Sequence, residues 1–122
     1  MKSIYFVEPQ TTYIQQLQST MLKDDFAVEG FNNASECIKA LFELNKSNQD
    51  MPDVIVIDYN LPGVDGLTLF EKLSPLLEDT KFILLMPEDK EALLFDVIRA
   101  GIMNYVMKNK GFMDVLETAI AA

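Results

Sequence analysis

Short apolar runs alternate along this chain with segments in which apolar residues recur every three or four positions. The first pattern predicts strands and the second predicts helices. Five strands are predicted, and a helical segment follows each; they lie at residues 4–7, 26–28, 54–57, 82–86 and 105–107. Regular alternation of strands and helices indicates a parallel sheet covered by helices on both faces. The predicted fold class is therefore α/β and doubly wound.

The same pattern predicts which residues form the core. The strand at 54–57 is β-branched at every position, which is typical of a strand buried in the middle of a parallel sheet. Asn33 begins a capping box at the start of the second helix. That helix is expected to bury Ile38, Leu41 and Phe42.

Composition and charge narrow the classes of function. The 122 residues include 10 Lys and Arg and 19 Asp and Glu, a net charge of −9, and no histidine. Duplex nucleic acid and anionic membrane surfaces are polyanions and are not expected as direct partners. Without histidine, serine–histidine and cysteine–histidine catalysis and histidine-ligated metals are excluded. Cys37 is the single cysteine, and neither a signal peptide nor a membrane-spanning run is recognised, so a cytoplasmic domain is expected.

Four residues are singled out because they lie at or just past the ends of predicted strands. They are Glu8, Asp58, Met86 and Lys108. In open parallel sheets, ligands and reacting groups lie beyond the carboxyl ends of the strands. One lysine between two carboxylates makes a charge-balanced pocket suited to a divalent cation and a phosphoryl group. A lone aspartate at a strand end is equally typical of a turn or helix cap, so Asp58 is a candidate only together with Glu8 and Lys108.

Two stretches of the sequence resemble the response-regulator receiver domain of two-component signalling, in the CheY-like superfamily. The first is DVIVIDYNLPGVDG at 53–66, and the second runs from 100 to 108. The resemblance covers the whole chain and implies a single receiver domain over residues 1–122. It also implies a five-stranded parallel sheet of flavodoxin-like order 2-1-3-4-5, with helices on both faces. A signalling module of this kind is not an enzyme.

The resemblance assigns roles to individual positions. It implies that Asp58 accepts a phosphoryl group from a histidine kinase or phosphotransfer protein, that Lys108 contacts the phosphate, and that Asn60 offers its backbone carbonyl to Mg²⁺. Met86 and Tyr105 take the two switch positions. A carboxylate attacking an anionic phosphoryl group needs such charge neutralisation and positioning. A downstream protein is expected on the face formed by helix 4, strand 5 and helix 5, and a homodimer stays open.

Departures from the family pattern indicate a degenerate phosphorylation site. Pro9 occupies the position of the family's second acid, which leaves Glu8, Asp58 and the Asn60 carbonyl as metal ligands. Mg²⁺ is therefore expected to bind weakly or not at all. Met86 replaces a Ser or Thr hydroxyl, and because a thioether donates no hydrogen bond, coupling to the switch is expected to be weak.

Two interpretations of the function stay open at this stage. The domain is either a phosphorelay receiver that uses Asp58, or a phosphorylation-independent pseudo-receiver that acts as a protein-docking module. Rivals from other classes fit less well. A flavin-binding protein would need a glycine- and hydroxyl-rich loop where the chain has EPQTTY at 8–13, and an aspartyl phosphatase would need an acid at Asn60. Because no DNA-binding segment follows Ala122, the output is expected to pass through another protein, unless the sequence is part of a longer chain.

Overall fold

The computed structural model describes the backbone of residues 1–122 and every side chain except that of Glu91. The five strands are β1 (Lys2–Val7), β2 (Phe26–Phe31), β3 (Val54–Asp58), β4 (Lys81–Met86) and β5 (Tyr105–Met107). They form one sheet in the order β2-β1-β3-β4-β5, and every neighbouring pair is parallel. The predicted fold class and strand order are confirmed.

Five helices connect and follow the strands. They are α1 (Thr11–Met21), α2 (Ala34–Lys46), α3 (Gly66–Leu73), α4 (Leu94–Arg99) and α5 (Phe112–Ala121). Helices α1 and α5 pack on one face of the sheet, and α2, α3 and α4 pack on the other. None of the described helices is long and apolar enough to cross a bilayer.

The central strand β3 shows how alternating side chains are divided between the two faces. Val54 and Val56 pack in the core beneath α1 and α5, whereas Ile55 and Ile57 pack in the core beneath α2, α3 and α4. All four are buried, as the sequence pattern predicts. Because side chains in a strand alternate with a period of two, the next residue, Asp58, belongs to the α1 and α5 face.

Helix α2 confirms one sequence prediction and corrects another. The Asn33 side chain accepts a hydrogen bond from the Glu36 backbone N–H at 2.9 Å, so Asn33 is the N-cap as expected. Leu41 is buried, but Phe42 is 69% exposed, so its predicted burial was wrong. The buried stripe includes Cys37 and Leu41, and Phe42 lies about 100° further around the helix, outside that stripe.

Candidate functional site

Three charged side chains meet at the carboxyl edge of the sheet. Glu8 directly follows β1, Asp58 ends β3, and Lys108 directly follows β5. Each comes two residues after a side chain that packs beneath α1 and α5, namely Phe6, Val56 and Val106. Strand alternation therefore directs all three charged side chains to the same face of the sheet at the same edge.

The Lys108 ammonium lies between the two carboxylates. Its Nζ is 2.6 Å from Asp58 Oδ2 and 2.7 Å from Glu8 Oε1, and it donates a hydrogen bond to each. The remaining carboxylate oxygens also have partners, since Gln10 N–H donates to Glu8 Oε2 at 2.9 Å and Asn60 N–H donates to Asp58 Oδ1 at 3.1 Å. All four oxygens of this acidic pair therefore accept hydrogen bonds from the protein.

Burial makes these contacts energetically important. The side chain of Glu8 is fully buried, that of Asp58 is 5% exposed, and that of Lys108 is 17% exposed. A charged group withdrawn from water is tolerated when it is paired and hydrogen-bonded. The two carboxylates and the ammonium supply each other with those partners.

Opposing effects set the pKa values of Glu8 and Lys108. Burial raises the pKa of Glu8 and the nearby charge of Asp58 adds to the rise, while hydrogen bonds from Lys108 and Gln10 oppose it. For Lys108, burial alone would lower the pKa. Its hydrogen bonds to Asp58 and Glu8 outweigh that effect, so the pKa of Lys108 is raised overall. The ammonium therefore stays protonated across the neutral pH range.

The loop between β1 and α1 is fixed around Glu8. The Glu8 backbone N–H donates to Phe31 O at 2.8 Å, which continues the sheet pairing past the end of β1. The Asn32 side-chain amide donates to Glu8 O at 3.1 Å and to Thr11 Oγ1 at 3.2 Å. These contacts link the strand end to the first residue of α1 and fix the backbone from which the Glu8 side chain extends.

The backbone around Asp58 is held just as closely. Tyr59 N–H donates to Leu85 O at 2.9 Å, and Gly66 N–H donates to Tyr59 O at 2.8 Å. A Cβ added to Gly66 would lie 2.3 Å from Asp58 O and 2.9 Å from Ile57 Cγ2. Only glycine allows the start of α3 to approach the strand end this closely.

Comparison with known proteins identifies the family. The family model of the response regulator receiver domain matches residues 4–120 of the sequence. The chain belongs to this family. Receiver domains are signalling modules of two-component systems, and the matched range includes Glu8, Asp58 and Lys108.

Individual relatives agree with the family assignment. Chemotaxis protein CheY of Bacillus subtilis is 23% identical over 88 residues, which cover 72% of this chain and 73% of CheY. Oxygen regulatory protein NreC of Staphylococcus epidermidis is 39% identical over 59 residues, which cover 48% of this chain and 27% of NreC. The match thus spans about a quarter of NreC. The solved structure of TrrA from Thermotoga maritima, in complex with Mg²⁺ and BeF, has the same fold, with a TM-score of 0.77, 21% identity, and coverage of 99% of this chain and 98% of that one.

Receiver domains typically bind Mg²⁺, and in the arrangement described every carboxylate oxygen of Glu8 and Asp58 already accepts a hydrogen bond from the protein. Pro9 contributes no side-chain oxygen, and both carboxylates, Glu8 and Asp58, already bind the Lys108 ammonium. Among the described side chains, no group of three or more acidic, cysteine or histidine residues is arranged to hold a metal. Mg²⁺ requires nearly octahedral oxygen coordination, which this set supplies only in part.

The two predicted switch residues lie outside the charged cluster. Met86 is 1% exposed and packs in the core beneath α2, α3 and α4, on the opposite face of the sheet from Asp58. It contacts the site region through its backbone, because Lys108 N–H donates to Met86 O at 2.8 Å. Tyr105 is 41% exposed. It borders a groove of about 390 Å³, whose other lining residues are Leu94, Phe95, Ile98 and Met107.

Two aromatic residues that the sequence pattern does not mark as functional complete the surroundings of the Lys108 amine. Lys108 Nζ lies over the Tyr13 ring, 4.9 Å from its centroid, and 5.9 Å from the Phe112 ring centroid. The two rings pack edge to face, with centroids 5.0 Å apart at an interplanar angle of 77°. Their positions in the sequence could have indicated this role. Tyr13 lies in the first turn of α1 and Phe112 in the first turn of α5, the two helices on the face of the sheet that carries the charged residues.

Proposed function

We propose that residues 1–122 act as one receiver domain that accepts a phosphoryl group on Asp58 from the phosphohistidine of a kinase or phosphotransfer protein. The observation that supports this most directly is the 2.6 Å hydrogen bond from Lys108 Nζ to Asp58 Oδ2 at the carboxyl edge of the sheet. It joins a carboxylate nucleophile to the cation that would contact the phosphate. Family membership over residues 4–120 adds independent support.

The proposed transfer needs little from the protein beyond positioning and charge. An Asp58 carboxylate oxygen attacks the phosphorus, the phosphorus–nitrogen bond of the donor breaks, and its electron pair returns to the imidazole. The product is an acyl phosphate on Asp58. The Lys108 ammonium, already beside this carboxylate, would neutralise the added negative charge through a charge-assisted hydrogen bond. Catalysis of phosphoryl transfer is mainly positioning and electrostatic stabilisation.

We further propose that Mg²⁺ binding and switch coupling are weakened in this domain. Glu8, Asp58 and the Asn60 carbonyl are the ligands that remain, and Pro9 removes the acid beside them. Met86 offers the phosphoryl group no hydroxyl, and its side chain is committed to the core on the other face of the sheet. A phosphate shifts a two-state element only when it contacts the two states differently. The position of Tyr105 is therefore expected to depend little on phosphorylation.

A second candidate is a phosphorylation-independent docking module. It is favoured by the fact that all four carboxylate oxygens of Glu8 and Asp58 already accept hydrogen bonds within the protein. It is also favoured by the face formed by α4, β5 and α5, where Phe95 is 69% exposed and Ile98 is 56% exposed. Exposed apolar residues grouped beside a groove are typical of a protein-binding surface, here for a downstream protein.

Intact mass measurement separates the two candidates. The purified domain is incubated with acetyl phosphate, with Mg²⁺ or with EDTA, beside a receiver domain that has a complete acidic site. We expect addition of one phosphoryl group, abolished by Asp58→Asn and retained in Asp65→Asn, a matched control because asparagine also caps α3 well. If only the comparison receiver gains mass, the phosphoacceptor function is wrong and the docking module remains.

The docking face has a separate test. Sedimentation of the wild type and Ile98→Asp shows whether the exposed apolar face pairs two copies of the chain. A wild-type dimer that the substitution dissociates would assign the face to homodimerisation. A monomer in both cases leaves the face available for a downstream protein.

A further inference from the structure

Groups of two different kinds surround the Lys108 ammonium. On one side Asp58 and Glu8 accept hydrogen bonds from two of its three N–H groups, with Nζ 2.6 Å from Asp58 Oδ2 and 2.7 Å from Glu8 Oε1. The ring centroids of Tyr13 and Phe112 lie 4.9 and 5.9 Å from Nζ. Both distances fall within about 6 Å, the range in which the negative face of an aromatic ring attracts a cation.

The chain brings each ring to this position through the turn that follows a charged residue. Tyr13 N–H donates to Gln10 O at 3.1 Å, and Gln10 is the residue whose own N–H binds the Glu8 carboxylate. Phe112 N–H donates to Asn109 O at 3.1 Å, and Asn109 directly follows Lys108. Gly111, between Asn109 and Phe112, has a φ of +82°, a conformation that glycine adopts without strain.

We infer that Tyr13 and Phe112 are positioning residues for Lys108: the two rings, here called the aromatic cover, hold its ammonium between Glu8 and Asp58. Helix packing alone would require apolar surface between α1 and α5, but no ring beneath the amine. The inference deepens the proposed function and rests on it, since an ammonium fixed beside Asp58 can neutralise an incoming phosphoryl group without rearranging.

The accessibility of the amine tests this inference without any phosphoryl transfer. The full chain is treated with a limiting amount of acetic anhydride and cleaved by a protease specific for aspartate, which places Lys108 and the exposed Lys110 in one peptide, 96–113. The measured quantity is the ratio of labelling at Lys108 to labelling at Lys110. We expect Tyr13→Leu to raise the ratio about fivefold, because the leucine keeps apolar contact but removes the ring face.

Conservative variants provide the controls. Tyr13→Phe keeps the ring and is expected to leave the labelling ratio within about twofold of the wild type. Phe112→Leu should raise the ratio less than Tyr13→Leu, because its ring lies farther from Nζ. Circular dichroism establishes that each variant is folded. If Phe112→Leu does not fold, the comparison of Tyr13→Leu with Tyr13→Phe decides the outcome.

A spectroscopic signature separates positioning from general destabilisation. The ¹⁵N-ammonium resonance of Lys108 should be observable by NMR in the wild type and in Tyr13→Phe, and should broaden in Tyr13→Leu as the amine exchanges with water. An unchanged labelling ratio and a retained resonance in folded Tyr13→Leu would overturn the inference. An equal rise of the labelling ratio in Tyr13→Phe would also overturn it, because the effect would then come from loss of the tyrosine hydroxyl.

The two proposals fail in different ways. If acetyl phosphate leaves Asp58 unmodified while the Tyr13 variants show the expected labelling, the aromatic cover stands and the phosphoacceptor function is wrong. If Asp58 is phosphorylated while the labelling ratio at Lys108 is the same with and without the Tyr13 ring, the function stands and the aromatic cover is wrong.

Discussion

The Lys108 ammonium donates a 2.7 Å hydrogen bond to Glu8 Oε1, which joins residues 100 positions apart in the sequence. Glu8 is fully buried, so this contact, together with the Gln10 N–H, replaces the water that the carboxylate gives up on folding. The same ammonium binds Asp58. Lys108 is thus the positive group through which the two buried acids of the site are held together.

Substitution of Glu8 by glutamine should change how stability depends on pH. Burial raises the pKa of Glu8 in the folded state above its ordinary value of 4.5. The contribution of this carboxyl to stability is complete below that value and is lost as pH rises through the folded pKa, because the unfolded chain releases its proton first. Urea unfolding between about pH 4 and 7 should show the wild type losing stability relative to Glu8→Gln as pH increases.

The exposed Glu43→Gln variant is the matched control for this measurement. It removes one carboxylate from the surface and should keep the pH slope of the wild type. Equal slopes in the wild type and in both variants would contradict the argument that burial governs the pKa of Glu8.

Replacing Pro9 with aspartate should strengthen Mg²⁺ binding by about tenfold or more, because a third carboxylate adds both charge and an oxygen ligand beside Glu8. Mg²⁺ titration followed by tyrosine fluorescence measures the affinity, and the chain has 4 tyrosines and no tryptophan. The asparagine of Pro9→Asn has nearly the same shape as aspartate but no charge, so this variant should bind Mg²⁺ with about the wild-type affinity. A similar gain in both variants would trace the effect to removal of the proline ring.

A hydroxyl at position 86 should not restore a response of Tyr105 to phosphorylation, because the side chain there packs on the face of the sheet opposite Asp58. Met86→Thr adds a hydroxyl, and Met86→Val is its control of similar shape without one. Both shorten a side chain that is 1% exposed and should lower the free energy of unfolding by about 2 kcal/mol. NMR of Tyr105 with acetyl phosphate should show the same small change in the two variants. A larger change in Met86→Thr would mean that the hydroxyl reaches the phosphoryl group and would contradict this packing.

Gly66→Ala should disturb the site through the backbone. The added Cβ would lie 2.3 Å from Asp58 O, so α3 or the strand end must move, at a cost of about 1–3 kcal/mol. In Gly63→Ala the new Cβ has no heavy atom within 4 Å, and only the φ of +85° opposes it. Thermal unfolding should rank Gly66→Ala as the less stable, and amide NMR shifts near Asp58 should change only in that variant. Equal shifts in both would contradict the close approach as the cause.

The charged part of the candidate site was predictable because it depends on local pattern. A residue directly after a buried strand lies at the edge of the sheet, and a period of two fixes its face, which accounts for Glu8, Asp58 and Lys108 together. Phe42 was mispredicted because an apolar residue at the border of a helical stripe is buried only if a neighbouring element covers it. Met86 ends β4 at the same edge of the sheet, one residue after the partner of Asp58, so its side chain packs on the opposite face.

Residue spacing within short segments is enough to predict the alternation of strands and helices, the parallel sheet and the three charged strand ends. The sharing of the Lys108 ammonium between two carboxylates, and its position over the rings of Tyr13 and Phe112, depend on tertiary packing. Glu8 and Asp58 lie 100 and 50 positions from Lys108 in the sequence, and the order of the strands in the sheet brings their ends together. The Tyr13 and Phe112 rings reach the amine because α1 and α5 pack on the same face of the sheet, and no local periodicity records either arrangement.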